Sequence, residues 1–354
     1  MHAWAVVENG APLVRIEKPT PEPTGTEVLI EVTHCGVCHS DLHFCDGYYE
    51  LGGGKRFMLA ERGVTLPRAI GHEILGRVAK LGPEAEGLQV GDRRIVYPWI
   101  GCGQCRRCKA GDDNLCASQR SLGVMQDGGF GSHVLVPHPR YLVDPGDVDP
   151  AVAATFGCSG ITVLAAIRKA MPLEPDDPIV LVGAGGLGLA AVGMLKALGH
   201  RAIISVDISP EKREAALDAG ATAAVDGNGP GVAAAIIAQA GGPVLAAIDF
   251  VNGSRTAGFV LEALAKGGKM IQVGVFGGEI TLPLIGLVFR AYSIMGSVTG
   301  NPADLHEVAR LAREGRLAPL PVTRMPKDDA NAALLRLRDG KVTGRIVLTA
   351  EAVN

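Results

Sequence analysis

Eight cysteines define the chemistry open to this chain, and four of them crowd into one short stretch. Cys102-x2-Cys105-x2-Cys108-x7-Cys116 puts four thiolates on a single loop, which suits a tetrahedral zinc–sulfur site with no open position. Gly101, Gly103 and Gly111 let the chain curl around the ion, and Arg106, Arg107 and Lys109 offset its negative charge. Met1–Gly10 has no secretory pattern, so metal ligation rather than disulfide pairing is the expectation for these thiols. With those four set aside, Cys38, His72 and Cys158 are the candidates for a second site, one with three protein ligands and an exchangeable fourth. Two thiolates and a neutral imidazole cancel the charge of Zn2+, and an alcohol bound there would lose its proton near neutral pH. Cys35 and Cys45 read as small packed residues.

A second kind of chemistry is written in glycine. Gly183-Ala184-Gly185-Gly186-Leu187-Gly188 follows the apolar run Ile179–Val182 and opens a helical pattern. That placement aims backbone N–H groups at a pyrophosphate. Asp207 ends the next apolar run, about 20 residues on, where a carboxylate accepts hydrogen bonds from ribose hydroxyls and repels a 2′-phosphate. NAD is therefore expected over NADP, with Lys212 adding a ribose or phosphate contact. A helix-capping aspartate and a solvated lysine are the plainer alternatives.

These groups need elements to hold them. At 354 residues the chain exceeds the comfortable size of one core, so two domains are expected. The first 150 or so residues show short apolar runs (Val28–Val32, Ile74–Leu81, Arg94–Tyr97, His133–Val136) broken by Gly and Pro, a β-rich pattern. From about Val152, apolar runs alternate with helical patterns. The runs are Ile179–Val182, Ala202–Val206, Ala246–Val251 and Lys269–Val275. The helical patterns are Leu187–Leu198, Pro210–Ala219, Val232–Ala240 and Ser254–Ala265, and Ser209-Pro210 starts one of them. The fold class is thus α/β: a doubly wound parallel sheet of Rossmann type with a β-rich, barrel-like domain. The uncharged stretch Pro178–Leu195 reads as strand, turn and helix rather than a membrane span. Arg345–Leu348 reads as a strand returning to the first domain. The expected division is 1–153 with 296–354, and 154–295. A net charge of −3 gives no footprint for nucleic acid or an anionic membrane.

Gly71-His72-Glu73-x2-Gly76-x5-Gly82-x2-Ala85 resembles the zinc signature of the zinc-dependent medium-chain alcohol dehydrogenases. Gly36-Val37-Cys38-His39-Ser40-Asp41-Leu42-His43 is similar to that family's first-ligand segment, and Gly157-Cys158-Ser159-Gly160-Ile161-Thr162 to its third. The four-cysteine lobe belongs to the same pattern. The resemblance runs over nearly the whole chain and implies a GroES-like catalytic domain, a Rossmann domain and a cleft between them. It implies two zinc ions per chain, one catalytic and one structural, with NAD as hydride carrier. It also implies roles. Ser40 takes the alcohol proton and passes it through a nicotinamide-ribose hydroxyl to His43. Asp41 fixes the His72 tautomer, and Glu73 sits behind the metal. His39 and Arg345 lie near the phosphates and Thr162 near the nicotinamide. Plainer readings exist for several: Ser40 as a helix cap, His43 and His39 as solvated side chains, Glu73 as the partner of an arginine.

Trp99 with Ile100, joined by Tyr48 and Tyr49, falls where the family lines its alcohol pocket, which points to apolar alcohols; polyol, amino-alcohol or larger acyl-carrying substrates are the alternative. Cys38 and His72 stand further apart than the family norm. The extra length, around Tyr48–Arg68, contains Gly52-Gly53-Gly54 and four cations, Lys55, Arg56, Arg62 and Arg68. It reads as a solvated surface loop, the alternative being a lid or basic rim over the substrate entrance. A homodimer or homotetramer and a cytoplasmic location are further expectations.

Overall fold

The computed structural model describes residues 1–350; the last four residues of the expected 296–354 segment lie outside the described residues. The barrel-like sheet is organised on the strand Val28–Val37, whose β-branched residues Val28, Ile30, Val32 and Val37 are buried. Along one edge it pairs antiparallel with Glu73–Leu81. Its other edge is shared: Val28–Glu31 pairs with His133–Val136, and His34–Val37 pairs with Arg345–Thr349. The sheet continues on one side through Arg93–Val96 to Leu142–Val143, and on the other through Val322–Pro326. Val28, Ile30, Ile74, Leu75, Ile95 and Phe130 fill the interior.

The second sheet is parallel throughout. Its strands in chain order are Ile179–Val182, Ile203–Asp207, Ala223–Asp226, Val244–Asp249, Leu264–Gln272 and Ser293–Gly296. In space they stand 3-2-1-4-5-6, the doubly wound order with a switch point between the first and fourth. Alternate residues feed two cores. Ile179, Leu181 and Ile248 join the interior continuous with the barrel, while Val180, Val182 and Val206 face a separate cluster beneath other helices. Burial on both faces explains why these strands read as unbroken apolar runs.

The helices Gly186–Ala197, Pro210–Ala219, Val232–Ala240 and Ser254–Ala263 lie within a residue or two of expectation. Among the elements not foreseen in the sequence are the strands Ala223–Asp226 and Ser293–Gly296 and the helix Leu284–Arg290. That helix is apolar yet buries none of its residues; Leu284, Ile285, Val288 and Phe289 all face outward. Among the described residues no single helix is long and apolar enough to cross a membrane.

Candidate active site: a metal cluster beside a nucleotide loop

Two of the three candidate ligands sit at helix starts. Cys38 is the N-cap of His39–Asp46, and Cys158 is the N-cap of Ser159–Ala170. The positive end of a helix favours thiolate over thiol. His72 comes from the residue before the strand Glu73–Leu81, and Gly71 (φ +88°) turns the chain into place. The Sγ atoms of Cys38 and Cys158 and a ring nitrogen of His72 all lie within 4.8 Å of one another, and all three residues are buried. A hydrogen bond from Cys158 holds the Cys38 thiol well below its ordinary range despite its burial, with Arg345 and His72 adding to the effect. Nε2 of His72 is buried with no hydrogen-bond partner among the described residues. An unpaired imidazole nitrogen facing two thiols is the donor set a zinc ion needs.

Asp41 joins two ligand segments. Its Oδ2 accepts from the Cys38 amide at 2.8 Å and its Oδ1 from the Gly71 amide at 3.2 Å. The same Oδ1 lies 3.2 Å from His72 Nδ1, off the line of a good hydrogen bond but on the side away from the cysteines' task. Glu73 lies within the same buried layer, and Gly36 makes room for it: a Cβ there would stand 2.0 Å from its carboxylate. Burial pushes the Glu73 carboxyl up to about 7, against the pull of Arg345, whose Nη2 is 3.1 Å away. The arginine-partner reading of Glu73 is therefore realised, and Arg345 reaches further: its guanidinium lies against Gly186 at the start of the glycine-loop helix. One side chain thus touches both the cysteine–histidine layer and the glycine loop.

The glycines of that loop each answer a distinct constraint. Gly183 adopts φ +93°; Gly188 packs so closely that a Cβ would meet the Gly183 carbonyl at 1.9 Å. Gly185 has open space above it, where a ligand's phosphates could approach the backbone. Asp207 accepts from the Ala184 amide at 2.7 Å and the Ser209 amide at 2.9 Å, so it braces the loop. Ser209, not Asp207, caps the following helix, through the Lys212 amide. Lys212 and Arg345 both bring positive charge toward His39 across the cleft. The Thr162 hydroxyl is buried without a partner at the start of Ser159–Ala170, a polar atom left for a ligand to satisfy.

Ser40 is inside the helix His39–Asp46 and does not cap it. Its hydroxyl faces the phenol of Tyr49, and Tyr49 stacks on His43 with ring centroids 4.5 Å apart. Burial lowers the His43 pKa, so the ring is neutral at physiological pH. The contact of Tyr49 with both groups was not foreseen; its sequence gave only an aromatic residue in an apolar pocket. Trp99 lies beside His72 at 5.2 Å and donates from Nε1 to the Gly157 carbonyl at 3.2 Å. Phe44 meets both Tyr49 and His72 edge-on, a third aromatic wall.

The extra segment departs from the solvated-loop expectation. It folds as a hairpin, Tyr48–Gly52 against Lys55–Met58. Its tip touches the loop after Leu264–Gln272 in the other domain: a Cβ on Gly52 would stand 2.9 Å from the Gly278 carbonyl carbon, and one on Gly277 2.3 Å from the Glu50 carbonyl oxygen. The hairpin therefore straps the two domains together through glycine backbone. Its cations are largely engaged. Arg56 pairs with Glu50 and covers Tyr48, Arg62 covers Phe57, and Arg68 lies by Asp127.

The four-cysteine lobe carries its own signature. Sγ separations of 4.0 Å (Cys102–Cys108), 3.5 Å (Cys105–Cys108) and 3.8 Å (Cys105–Cys116) match the edge of about 3.8 Å of a tetrahedron with zinc–sulfur bonds of about 2.3 Å. Amides of Cys102, Cys108 and Ser118 point at Cys116 or Cys105 sulfurs, and amide donors pull the Cys102 thiol down to about 6. All eight cysteines are free, and Cys35 and Cys45 are packed away from both clusters.

Comparison with known proteins gives two matching families. Residues 24–145 match the alcohol dehydrogenase GroES-like domain, and residues 186–314 match the zinc-binding dehydrogenase family. The chain is 38% identical to an NAD-dependent alcohol dehydrogenase of Saccharolobus solfataricus, covering 98% of this chain and 99% of that protein. A protein of the same description from Sulfurisphaera tokodaii is 37% identical, with the same coverage. Among solved structures, the alcohol dehydrogenase of Aeropyrum pernix superposes with a TM-score of 0.90 at 32% identity, covering 99% of this chain and 100% of that one.

Proposed function

The chain belongs to the zinc-dependent medium-chain alcohol dehydrogenase family, and from that premise we propose that it reversibly oxidises apolar primary or secondary alcohols with NAD. The observation that carries this reading is the buried Cys38–His72–Cys158 cluster, linked through Arg345 to the glycine-loop helix. When bound, zinc acidifies the alcohol hydroxyl and NAD accepts the hydride.

The remaining work falls to the chain's own groups. Ser40 takes the alcohol proton, Tyr49 holds that hydroxyl in line, and His43, neutral and half-buried, delivers the proton to solvent. Asp41 keeps the Nδ1 side of His72 protonated, leaving Nε2 as the ligand atom. Glu73 and Arg345 neutralise each other behind the ligands. The Gly183, Gly185 and Gly188 turn cradles the pyrophosphate, with Asp207 and Lys212 on the adenosine ribose, His39 at the phosphates and Thr162 at the carboxamide end. Trp99, Tyr49 and Phe44 make an aromatic enclosure that suits aliphatic or aromatic alcohols, and the engaged cations of the hairpin argue against an acidic substrate. A second zinc ion in the four-cysteine lobe is structural.

The exposed face of Leu284–Arg290 adjoins Ser293–Gly296, an edge strand bonded to one neighbour. An apolar helix face beside an open strand edge supports a homo-oligomer formed there. Eight cysteines with no disulfide among them suit a reducing compartment such as the cytoplasm.

The test is NADH formation across a panel of alcohols, with zinc content measured in parallel, for the native protein and Cys38→Ser. Turnover of benzyl or medium-chain alcohols, lost in the variant together with one of two zinc ions, is expected. A silent panel from folded, zinc-loaded native protein would remove the simple-alcohol reading.

A further inference from the structure

The four-cysteine lobe contributes no group to the chemistry, yet it reaches the cleft. Asn114, two residues before Cys116, donates from Nδ2 to the carbonyl of Val298 at 3.0 Å, across 184 positions of sequence. Val298 belongs to a four-residue strap, Ser297 to Gly300, that leaves the parallel sheet at the carboxyl end of its strands. The Ser297 amide still bonds the Gln272 carbonyl at 2.9 Å. The far end of the strap is also tied to the barrel side: the Tyr97 hydroxyl donates to the Gly300 carbonyl at 2.8 Å. Between these two anchors Thr299 is held at φ +41°, a left-handed conformation that a β-branched residue keeps only when its surroundings impose it.

The strap adjoins the proposed cofactor end. Gly300 packs against the Ile161 carbonyl, where a Cβ would stand at 2.6 Å, and Thr162 follows. The hydroxyls of Ser297, Thr299 and Thr162 are all buried without hydrogen-bond partners among the described residues. Three such groups on two touching segments mark a polar wall built to meet a ligand.

The lobe ties down the backbone at Asn114. Gln119 Nε2 donates to the Asn114 carbonyl at 2.6 Å, and buried Asp113 accepts from Tyr141 Oη at 2.7 Å and Arg140 at 2.9 Å. We infer that Asn114 is a positioning residue: through it the four-cysteine lobe sets the Ser297–Gly300 strap, and so the wall that meets the nicotinamide and the alcohol. The lobe is then part of the active-site frame and not only a staple for its own loop. This inference rests on the NAD-dependent alcohol dehydrogenase reading.

The experiment compares zinc-loaded wild type, Asn114→Ala, Gln119→Leu and, as a control on the same lobe, Asp112→Ala, whose carboxylate meets Arg107 at the surface. Zinc content, NADH dissociation constant by fluorescence titration, and the KM and kcat of one alcohol are measured for each. Asn114→Ala is expected to keep its zinc, to raise the NADH Kd and the alcohol KM about fivefold (one neutral hydrogen bond of about 1 kcal/mol), and to leave kcat within about twofold. Gln119→Leu should move the same constants in the same direction by less, and Asp112→Ala should move none. Unchanged constants in Asn114→Ala would overturn the proposal. So would a weakening that tracks lost zinc or is shared by Asp112→Ala, since that is what a merely stabilising lobe gives. If the wild type itself binds no NADH, the cofactor reading fails first, and this inference with it.

Discussion

Replacing Lys327 with methionine should flatten the alkaline stability profile of this protein. The Lys327 side chain is buried in the barrel, donating from Nζ to the Gly131 carbonyl at 2.9 Å and the Val32 carbonyl at 3.2 Å. Among the described residues no carboxylate pairs with it; burial lowers its pKa from 10.5 to about 8, with the charges of Cys35 and Glu31 opposing. The folded state therefore resists the proton more than the unfolded chain does. The stabilisation this gives is present above the unfolded value of 10.5 and is lost as pH falls through about 8. Linkage over that window predicts that native stability rises by about 2 kcal/mol between pH ~7 and pH ~9.5 from this group alone. Methionine also removes two hydrogen bonds to carbonyls, a penalty of about 1–3 kcal/mol each that does not vary with pH. Equilibrium urea unfolding of both proteins at the two pH values, followed by tryptophan fluorescence, separates the terms. The wild-type gain minus the variant gain should be about 2 kcal/mol, since every other titrating group is common to both. A difference indistinguishable from zero would refute a cationic, desolvated Lys327.

Two further outcomes are expected. Asp207→Asn keeps the size of the side chain but weakens its bonds to Ala184 and to a ribose; kcat/KM for NAD should fall about 10- to 100-fold and NADP should become a measurable substrate. An unchanged NAD to NADP ratio would detach Asp207 from cofactor choice. Phe289→Glu puts a charge on the outward apolar face of Leu284–Arg290, and light scattering should then report a smaller species than the wild type. Equal masses would move the assembly surface elsewhere.

Much of the metal chemistry was legible because it depends on residue type at short range. Four cysteines within one loop, or a glycine turn between a strand and a helix, carry their geometry in local spacing. The centre of the doubly wound sheet was legible for the same reason, since Ile179–Val182, Ile203–Asp207 and Val244–Asp249 bury both faces and a helix follows each. The more exposed strands Ala223–Asp226 and Ser293–Gly296 carry no such run. What escaped depends on distant partners. Tyr48–Arg68 carries glycines and charges, the marks of a surface loop, but Gly52 and Gly277 are glycines because two backbones meet there. Leu284–Arg290 is too short for periodicity to show which face is outward. Asn114 and Val298 lie too far apart for any pattern in one chain to join them. In the sequence Tyr49 is only an aromatic residue of an expected pocket, whereas its stacking on His43 follows from where the hairpin turns back.

The place of Arg345–Thr349 in the barrel has a consequence for how the protein is made. This strand bonds Val28–Val37 on one side and Val322–Pro326 on the other, and it delivers the guanidinium that faces Glu73. During synthesis on the ribosome, the N-terminal strands emerge first but keep an open edge, and Glu73 has no counter-ion to accompany it into the interior. The parallel sheet, contiguous in the chain, meets no such delay. The barrel sheet is therefore completed only when Arg345–Thr349 emerges, and until then the nascent chain exposes the unpaired His34–Val37 edge, the kind of surface that chaperones shield.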